Sequence, residues 1–371
     1  MGARETALNA LIACRKNGAW SNGVLKEYCS RDRLDRREAA LANRLCYGVL
    51  QNRGKLDFYL EQLLTGKLKN LHPAVHDILH LGLYQIYEMD KIPESAAVNE
   101  AVMLAKKYCK KIPNAAGLVN GVLRNAVRTK DSRREPESLC DRYSHPQGLI
   151  DMLTSYVGKN RMEAMLKANN AVAPVVVQVN SQRTTQTQLL QILQGEEVLA
   201  QRHPWLDNCL ILSGTGNLEQ LSAFQKGLFY VQDAAARLSV LCAQIFQGAD
   251  VLDCCAAPGG KSFAAVLSGA GSVVACDIHE HKIALMQNGA NRLGFSNIQT
   301  RLQDASAYVS EWKDAMDVVL ADVPCSGLGI IRKKPDIRYK DLRSMKALPA
   351  LQLAILENQA RYVKPGGLLL Y

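Results

Sequence analysis

Three residues whose types suit catalysis stand late in the chain, at the end of an apolar run. The stretch DVVLADVPCSGLGII, residues 317–331, places Asp322, Pro324 and Cys325 directly after its most hydrophobic part. A thiolate can attack an electron-poor carbon as a nucleophile. Cys325 is therefore a candidate nucleophile, a candidate helper to another nucleophile, or a small core residue.

A glycine-rich turn supplies a second candidate site. CAAPGGKS, residues 255–262, follows the apolar run VLDC. Glycines let the backbone N–H groups at the start of a helix approach a ligand closely. A phosphate loop would need a glycine at Cys255, and a dinucleotide-binding turn would need the pattern GxGxxG. S-adenosylmethionine carries an adenosine without phosphate, and a short glycine turn suffices for it.

Acidic residues stand at the ends of the three following apolar runs. Asp277 ends SVVACD, Asp304 follows IQTRLQ, and Asp322 follows MDVVLA. A carboxylate roughly 20 residues past the glycines suits the two hydroxyls of a ribose. One such acid alone is more often a helix cap or a turn residue. Three of them around one glycine turn favour an S-adenosylmethionine site.

Three histidines are spaced for one face of a helix. His72, His76 and His80 recur every four residues, a spacing that could hold a metal ion. No glutamate accompanies them as in the pattern HExxH, and HPAVHDILHLGLYQIYEM has the periodicity of an ordinary amphipathic helix. We expect no metal site.

The candidate residues need a scaffold that brings several strand ends together. From Asp250 onward, short apolar runs alternate with segments of helical length, which predicts a parallel, doubly wound, Rossmann-like sheet with ligands at the carboxyl ends of its strands. We assign residues 239–371 to this α/β domain. Mixed strand and helix patterns predict a small α+β module at 139–238, and the polar run RTKDSRREPES favours a linker at 131–138.

The first part of the chain, residues 1–130, predicts an all-helical domain of basic character. Apolar residues recur there at every third and fourth position. The range holds 21 lysines and arginines against 12 acids, and therefore most of the net charge of +10. Such an excess of positive charge is typical of proteins that bind nucleic-acid phosphates, although solvated helix faces give the same composition. The run RKKPDIR, residues 332–338, is a further candidate RNA contact or an ordinary solvated loop.

The remaining composition narrows the class of protein. Eleven cysteines without CxxC spacing favour reduced thiols in a cytoplasm. No apolar run reaches the roughly 18 residues that a membrane span needs, and the first twenty residues lack the apolar core of a secretory signal. We expect a cytoplasmic monomer that does not associate with membranes.

Taken together, the motifs resemble one family. LDCCAAPGGKS, ACDIHEHK and DVVLADVPCSGLGIIRKKPDIR are similar to motifs of the RNA cytosine-C5 methyltransferases of the NOL1/NOP2/Sun family, and HDILHLGLYQIYEM and GLVNGVLRN resemble the antitermination factor NusB. The resemblance spans all three predicted domains. It implies methylation of carbon 5 of a cytosine in 16S ribosomal RNA with S-adenosylmethionine as the donor. It also implies that the NusB-like domain and the middle module bind the RNA.

The same resemblance implies a role for each candidate residue. Asp277 holds the ribose, Asp304 the adenine, and Asp322 lies against both the cofactor and the target base. The glycine turn surrounds the methionine end of the cofactor with Cys255, Ala256, Ala257, Pro258, Gly259, Gly260 and Lys261.

In this family the Pro-Cys cysteine, here Cys325, is not the attacking residue. The attacking cysteine lies in a Thr-Cys motif after the fifth strand and adds to carbon 6 of the cytosine, and the Pro-Cys cysteine assists release of the product. The sequence stops within the fifth strand at Tyr371. We therefore expect a truncated chain that binds the cofactor and is inactive in transfer.

Two other functions stay open. A non-catalytic RNA-binding or ribosome-assembly protein would keep the fold and work through its basic helical domain. A DNA cytosine methyltransferase would use Cys325 itself as the nucleophile. Against the latter, no Glu-Asn-Val motif follows the fourth strand, and the helical first part is unlike that family.

Overall fold

The computed structural model describes residues 2–17 and 20–371, so Met1, Gly18 and Ala19 of the predicted first domain lie outside the described residues. The chain forms two compact units. The first contains Met1–Ala173 and Gly327–Leu342, and the second contains Pro174–Ser326 and Arg343–Tyr371. Among the helices of the described ranges, none has the length and apolar character needed to cross a bilayer.

The first unit is helical, as predicted. Its helices are α1 (Ala3–Asn17), α2 (Ser21–Arg31), α3 (Arg36–Leu63), α4 (Pro73–Glu88), α5 (Glu94–Tyr108), α6 (Ala115–Arg128), α7 (Leu139–Tyr143), α8 (Gln147–Val157) and α9 (Lys159–Asn170). Helix α4 is buried on several sides, because Ile78, Leu79 and Leu81, which point in different directions around it, are each at most 1% exposed. Helix α3 begins where the Asp35 side chain accepts a hydrogen bond from the Glu38 N–H.

A segment from late in the sequence completes the helical unit. Ile331 and Ile337 pack against Leu149, Leu153 and neighbouring apolar side chains of α8 and α9. This packing explains why α7 to α9 lie in the first unit, although we assigned residues 139–238 to a separate module. The boundary between compact units falls at residues 173 and 174.

The same segment corrects our interpretation of RKKPDIR. Arg338 is only 1% exposed, so this residue of the run is neither an RNA contact nor part of a solvated loop. Its guanidinium donates to the carbonyl oxygens of Gln51, Tyr143 and Ser144 at 3.0, 3.3 and 3.1 Å. A pattern of charges along the sequence could not reveal this burial, because the carbonyl acceptors come from distant parts of the chain.

The second unit contains a small antiparallel sheet. Its strands are β1 (Val175–Val179), β2 (Leu199–Arg202), β3 (Cys209–Ser213) and β4 (Phe229–Val231), in the order β2-β3-β1-β4. Helices α10 (Gln186–Gly195) and α11 (Ser222–Gln225) accompany this sheet. Val177, Leu189, Leu210 and Phe229 lie in its buried core.

The second unit also contains the predicted parallel sheet. Its strands are β5 (Asp250–Asp253), β6 (Ser272–Asp277), β7 (Ile298–Leu302), β8 (Met316–Leu320) and β9 (Val363–Leu370), in the order β7-β6-β5-β8-β9. The helices of this part are α12 (Ala234–Cys242), α13 (Gly260–Leu267), α14 (Glu280–Leu293) and α15 (Leu348–Ala360). Strand order reverses between β5 and β8, and doubly wound sheets bind ligands in the crevice at such a reversal.

The buried His145 makes the stability of the helical unit depend on pH. Its Nδ1 lies 2.7 Å from the carbonyl oxygen of Tyr143, and its Nε2 lies 3.3 Å from the Asn169 amide nitrogen. Burial and the nearby Arg338 guanidinium lower the pKa of His145 to about 4. An unfolded histidine titrates near pH ~6.5. Between these values the unfolded state binds more protons, so the free energy of unfolding falls as the pH falls.

We predict that His145 lowers the free energy of unfolding by up to roughly 3 kcal/mol between about pH 6.5 and pH 4. Replacing it by His145→Gln removes the titrating ring and should reduce the acid-induced fall of the urea midpoint. The exposed His281 serves as the control, and His281→Gln should behave as the wild type. An equal fall in all three proteins would contradict the assignment.

Candidate functional site

The parallel register brings the predicted site residues to one edge of the sheet. Asp277 and Asp322 each lie two residues beyond the position that pairs with the last residue of β5. Cys255 also lies two residues beyond the end of β5, so these three residues are level. Asp304 lies two residues beyond the partner of Asp277. Neighbouring strands lie about 4.8 Å apart, so the four strand ends from Asp304 after β7 to Asp322 after β8 span about 14 Å across the sheet.

The turn after β5 requires glycine at one position. Gly259 has a φ of 104°, and a Cβ atom there would lie 2.6 Å from Cζ of Phe263. Its N–H donates to the carbonyl oxygen of Ala256 at 2.7 Å, and the Ala256 N–H donates to Cys276 at 2.7 Å. Helix α13 begins at the next residue, so the unpaired N–H groups of its first turn lie at the crevice.

A buried carboxyl group that we did not predict fixes this turn. Asp253 is the last residue of β5, and its Oδ2 accepts a hydrogen bond of 2.7 Å from Ser262 in α13. Its other oxygen has no partner among the described residues. Burial raises the pKa of Asp253 to about 6. The signal in the sequence was an acid inside the apolar run VLDCC, where a solvated acid is not expected.

Asp277 is held in a defined orientation at the end of β6. It is 7% exposed, and its Oδ1 accepts a hydrogen bond of 3.0 Å from the His279 N–H. Lys282 Nζ lies 3.4 Å from the other oxygen. These two contacts hold the Asp277 carboxylate in one orientation at the end of β6.

Asp304 organises the turn that follows β7. Its Oδ1 accepts hydrogen bonds from the Ser306 N–H at 2.8 Å and from the Ser306 hydroxyl at 2.7 Å. These two bonds lower the pKa of Asp304. This is the behaviour of a turn acid, so a direct contact of Asp304 with adenine stays a prediction.

Two amides that sequence reasoning missed hold the same turn from α15. Asn358 and Gln359 are buried, and each donates to the carbonyl oxygen of Ala305 at 2.8 Å. Asn358 also donates to Ala307 at 3.1 Å. The adjacent amides in the helical run LAILENQA were the available signal, because an apolar helix rarely buries two of them without acceptors.

Across the reversal of strand order, the glycine turn and the strand β8 are joined by an ion pair. Lys261 Nζ lies 2.6 Å from Oδ2 of Asp322. Cys325 is exposed three residues later, and the carbonyl oxygen of Pro324 between them accepts a hydrogen bond from Gln352 at 2.9 Å. The structure thus brings the glycine turn, Asp322 and the Pro-Cys motif to the same crevice.

These residues fit a nucleoside cofactor that lacks phosphate. Carboxylates at successive strand ends suit hydroxyl donors and would repel phosphate, and Lys261 is paired with Asp322. The Gln232 Nε2 is buried, has no hydrogen-bond partner within residues 2–17 and 20–371, and lies 3.4 Å from where a Cβ on Gly260 would stand. That amide is available to a carboxylate such as the one at the methionine end of S-adenosylmethionine.

Of the three regularly spaced histidines, two lie within α4 in the structure and one precedes it. His72 precedes α4, and its Nδ1 accepts a hydrogen bond from the Ala74 N–H. His76 and His80 lie on α4 and both contact Asp57 of α3. The sequence did not indicate this acid as their partner.

Three family models match successive parts of the chain. Residues 1–128 match the NusB family, and residues 145–219 match the ferredoxin-like domain of RsmF/B-like methyltransferases. Residues 241–371 match the family described as 16S rRNA methyltransferase RsmB/F.

Solved structures share this fold. The crystal structure of PH0851 has a TM-score of 0.80 at 21% identity, and the match covers 99% of this chain and 84% of that one. A methyltransferase homologue from Pyrococcus horikoshii has a TM-score of 0.54 at 24% identity, covering 62% of this chain and 73% of its own. NSun6 from the same organism, solved with the S-adenosylmethionine analogue SFG, has a TM-score of 0.53 at 18% identity, over 60% of this chain and 82% of its own.

Named relatives match along nearly the whole chain. The probable ribosomal RNA small subunit methyltransferase B of Bacillus subtilis is 34% identical over 99% of this chain and 83% of the relative. The ribosomal RNA small subunit methyltransferase B of Vibrio cholerae is 33% identical over 100% of this chain and 85% of the relative. Because these relatives match nearly the whole chain at 33% and 34% identity, the chain belongs to the ribosomal RNA small subunit methyltransferase B family.

Proposed function

We propose that this protein methylates carbon 5 of a cytosine in 16S ribosomal RNA, with S-adenosylmethionine as the methyl donor. The observation that carries the proposal is the level row of Asp277, Cys255 and Asp322 around the glycine turn. Membership of the methyltransferase B family supports the reaction class. The choice of cytosine and of carbon 5 rests on the resemblance of the Asp322-Val-Pro-Cys motif.

Different residues of the chain hold different parts of the cofactor. When it is bound, the cofactor supplies a methyl group that is attached to a positively charged sulfur. Asp277 accepts hydrogen bonds from the ribose hydroxyls, because its carboxylate is preorganised by the His279 N–H. The turn of Asp304 and Ala305, fastened by the amides of α15, bounds the adenine. The glycine turn and Gln232 face the methionine end.

The target base needs covalent activation, because carbon 5 of cytosine is a poor nucleophile. A thiolate adds to carbon 6, and the ring electrons move toward carbon 5. Carbon 5 would take the methyl group as the bond between that methyl and the sulfonium sulfur breaks, with neutral S-adenosylhomocysteine as the leaving group. The proton on carbon 5 would then pass to solvent, and its bonding electrons would expel the thiolate by breaking the bond between carbon 6 and sulfur. We assign the attack to the cysteine of the Thr-Cys motif that the family resemblance implies, and not to Cys325. Asp322 stabilises the adduct near N3, and the exposed Cys325 assists release.

Binding of the RNA is assigned mainly to the helical unit. Most of the excess positive charge lies within residues 1–130, and it would lower the free energy of phosphate binding. Trp20 is 44% exposed, and Lys340 and Lys334 place their Nζ atoms 4.6 and 5.8 Å from its ring centroid. An exposed aromatic ring beside two cations can stack an unpaired base. We propose that the protein acts in the cytoplasm, as a monomer, on an unpaired or flipped cytosine.

Calorimetry tests the cofactor site. Titration calorimetry of S-adenosylmethionine into the chain should give one site, and Asp277→Asn should weaken the affinity at least tenfold, because a charged acceptor for two hydroxyls is lost. Asp250→Asn is the matched control, since Asp250 lies at the opposite end of β5 and accepts a hydrogen bond from Ser272. Equal affinity in both variants, or no heat of binding to a folded wild type, would reject the site.

A methyl-transfer assay tests the roles of the two cysteines. A protein that contains both this chain and the family's Thr-Cys motif should transfer tritium from labelled S-adenosylmethionine to unmodified 16S ribosomal RNA. In that protein, Cys325→Ala should accumulate a covalent RNA adduct that resists denaturation, because release is impaired while attack is intact. Cys242→Ala, at an exposed cysteine of α12, is the control and should turn over normally.

The same assay separates the other functions. Loss of the adduct in Cys325→Ala would make Cys325 the nucleophile. Tight RNA binding without any transfer would favour a non-catalytic assembly protein.

A further inference from the structure

A cluster of metal-ligating side chains lies in the helical unit and has no part in the proposed reaction. Asp57 is on α3, and His76 and His80 are one turn apart on α4, which packs against it. The Nε2 atoms of His76 and His80 lie 2.5 and 2.8 Å from the same carboxylate oxygen, Oδ1 of Asp57. One ligand atom from each residue falls within 4.8 Å of the other two.

We propose that Asp57, His76 and His80 bind a divalent transition metal ion, with Zn²⁺ as the best fit. Two imidazole nitrogens and one carboxylate oxygen form a common donor set for zinc, with a fourth position left for water. Two histidines at i and i+4 present their rings on one helix face, as in helical zinc motifs. This inference replaces our expectation from the sequence that the histidine spacing marks no metal site, and it does not rest on the proposed methyl transfer.

The geometry is close to what a tetrahedral ion needs. Zinc bonds near 2.0 to 2.1 Å place adjacent ligand atoms roughly 3.3 Å apart. The two Nε2 atoms therefore need to move away from Oδ1 by only about half an ångström to just under one. Side-chain rotation can supply this shift, since His76 and Asp57 are partly exposed.

The scaffold around the cluster is rigid where a metal site requires it. His80 is 2% exposed, and Leu56 and Leu60, which flank Asp57 along α3, are fully buried. Ligands on packed helices are held more precisely than ligands on loops. Arg53 lies one turn before Asp57 on α3, and its positive charge near His80 opposes a cation here. We therefore expect weaker binding than at a thiolate site.

The alternative is a hydrogen-bonded network without metal, which requires a different protonation state of the two imidazole rings. An ionised carboxylate only accepts hydrogen bonds, so both Nε2 atoms would have to carry protons. A metal needs both Nε2 atoms unprotonated. Metal titration therefore distinguishes the two arrangements.

The test is a cobalt titration of the whole chain, followed by zinc displacement. Tetrahedral Co²⁺ at this site should give visible d–d absorption without the near-ultraviolet charge-transfer band that cysteine ligands produce. That spectrum separates the site from the eleven free thiols. One equivalent of Zn²⁺ should abolish the visible bands and raise the thermal midpoint of unfolding, because the metal binds only the folded state.

Variants assign the signal to the cluster. His76→Gln and Asp57→Asn should weaken Co²⁺ binding at least tenfold and abolish the thermal shift, and both positions are exposed enough for the fold to survive. His72→Gln is the matched control, four residues earlier and outside the cluster, and should bind as the wild type does. Absent visible bands, or equal binding in all four proteins, would establish the metal-free network and overturn the proposal.

Discussion

Parallel pairing of β5, β6, β7 and β8 is the constraint on which the candidate site depends. Because the strands are parallel, their carboxyl ends all lie at the same edge of the sheet. Residues that are far apart in the sequence therefore lie side by side at that edge. Reversal of strand order between β5 and β8 opens the crevice at this edge, and the Lys261 and Asp322 ion pair spans it. The turn after β5 can then approach a ligand because Gly259 adopts a conformation that other residues avoid.

The parts of this site that could be predicted are those set by local sequence. The glycine turn, Asp277, Asp304 and Asp322 each follow an apolar run, and the rules of parallel sheets place them together. Asn358 and Gln359 escaped prediction, because their partners lie more than fifty residues earlier in the chain. Resemblance to a family added roles for these residues and for Cys325, and all of these roles stay predictions.

Charge and spacing were poorer guides in the helical unit. A basic run suggested exposure, yet Arg338 is buried against carbonyl groups that the chain supplies from residues 51, 143 and 144. Helical spacing correctly put His76 and His80 on one face, but Asp57 comes from another helix and could not be paired with them by pattern. In both cases the partners of the side chain come from other elements of the fold. Composition and spacing do not indicate such contacts.

The central claim is that the edge built by β5 to β8 holds S-adenosylmethionine in a stated orientation. A crystal structure of the chain with S-adenosylhomocysteine tests it most directly. The ribose hydroxyls should lie within hydrogen-bonding distance of Asp277, with the adenine beside Ala305 and the amino-acid end at the turn of Gly259 and Gly260. A nucleoside bound elsewhere, or with its ribose away from Asp277, would contradict the account.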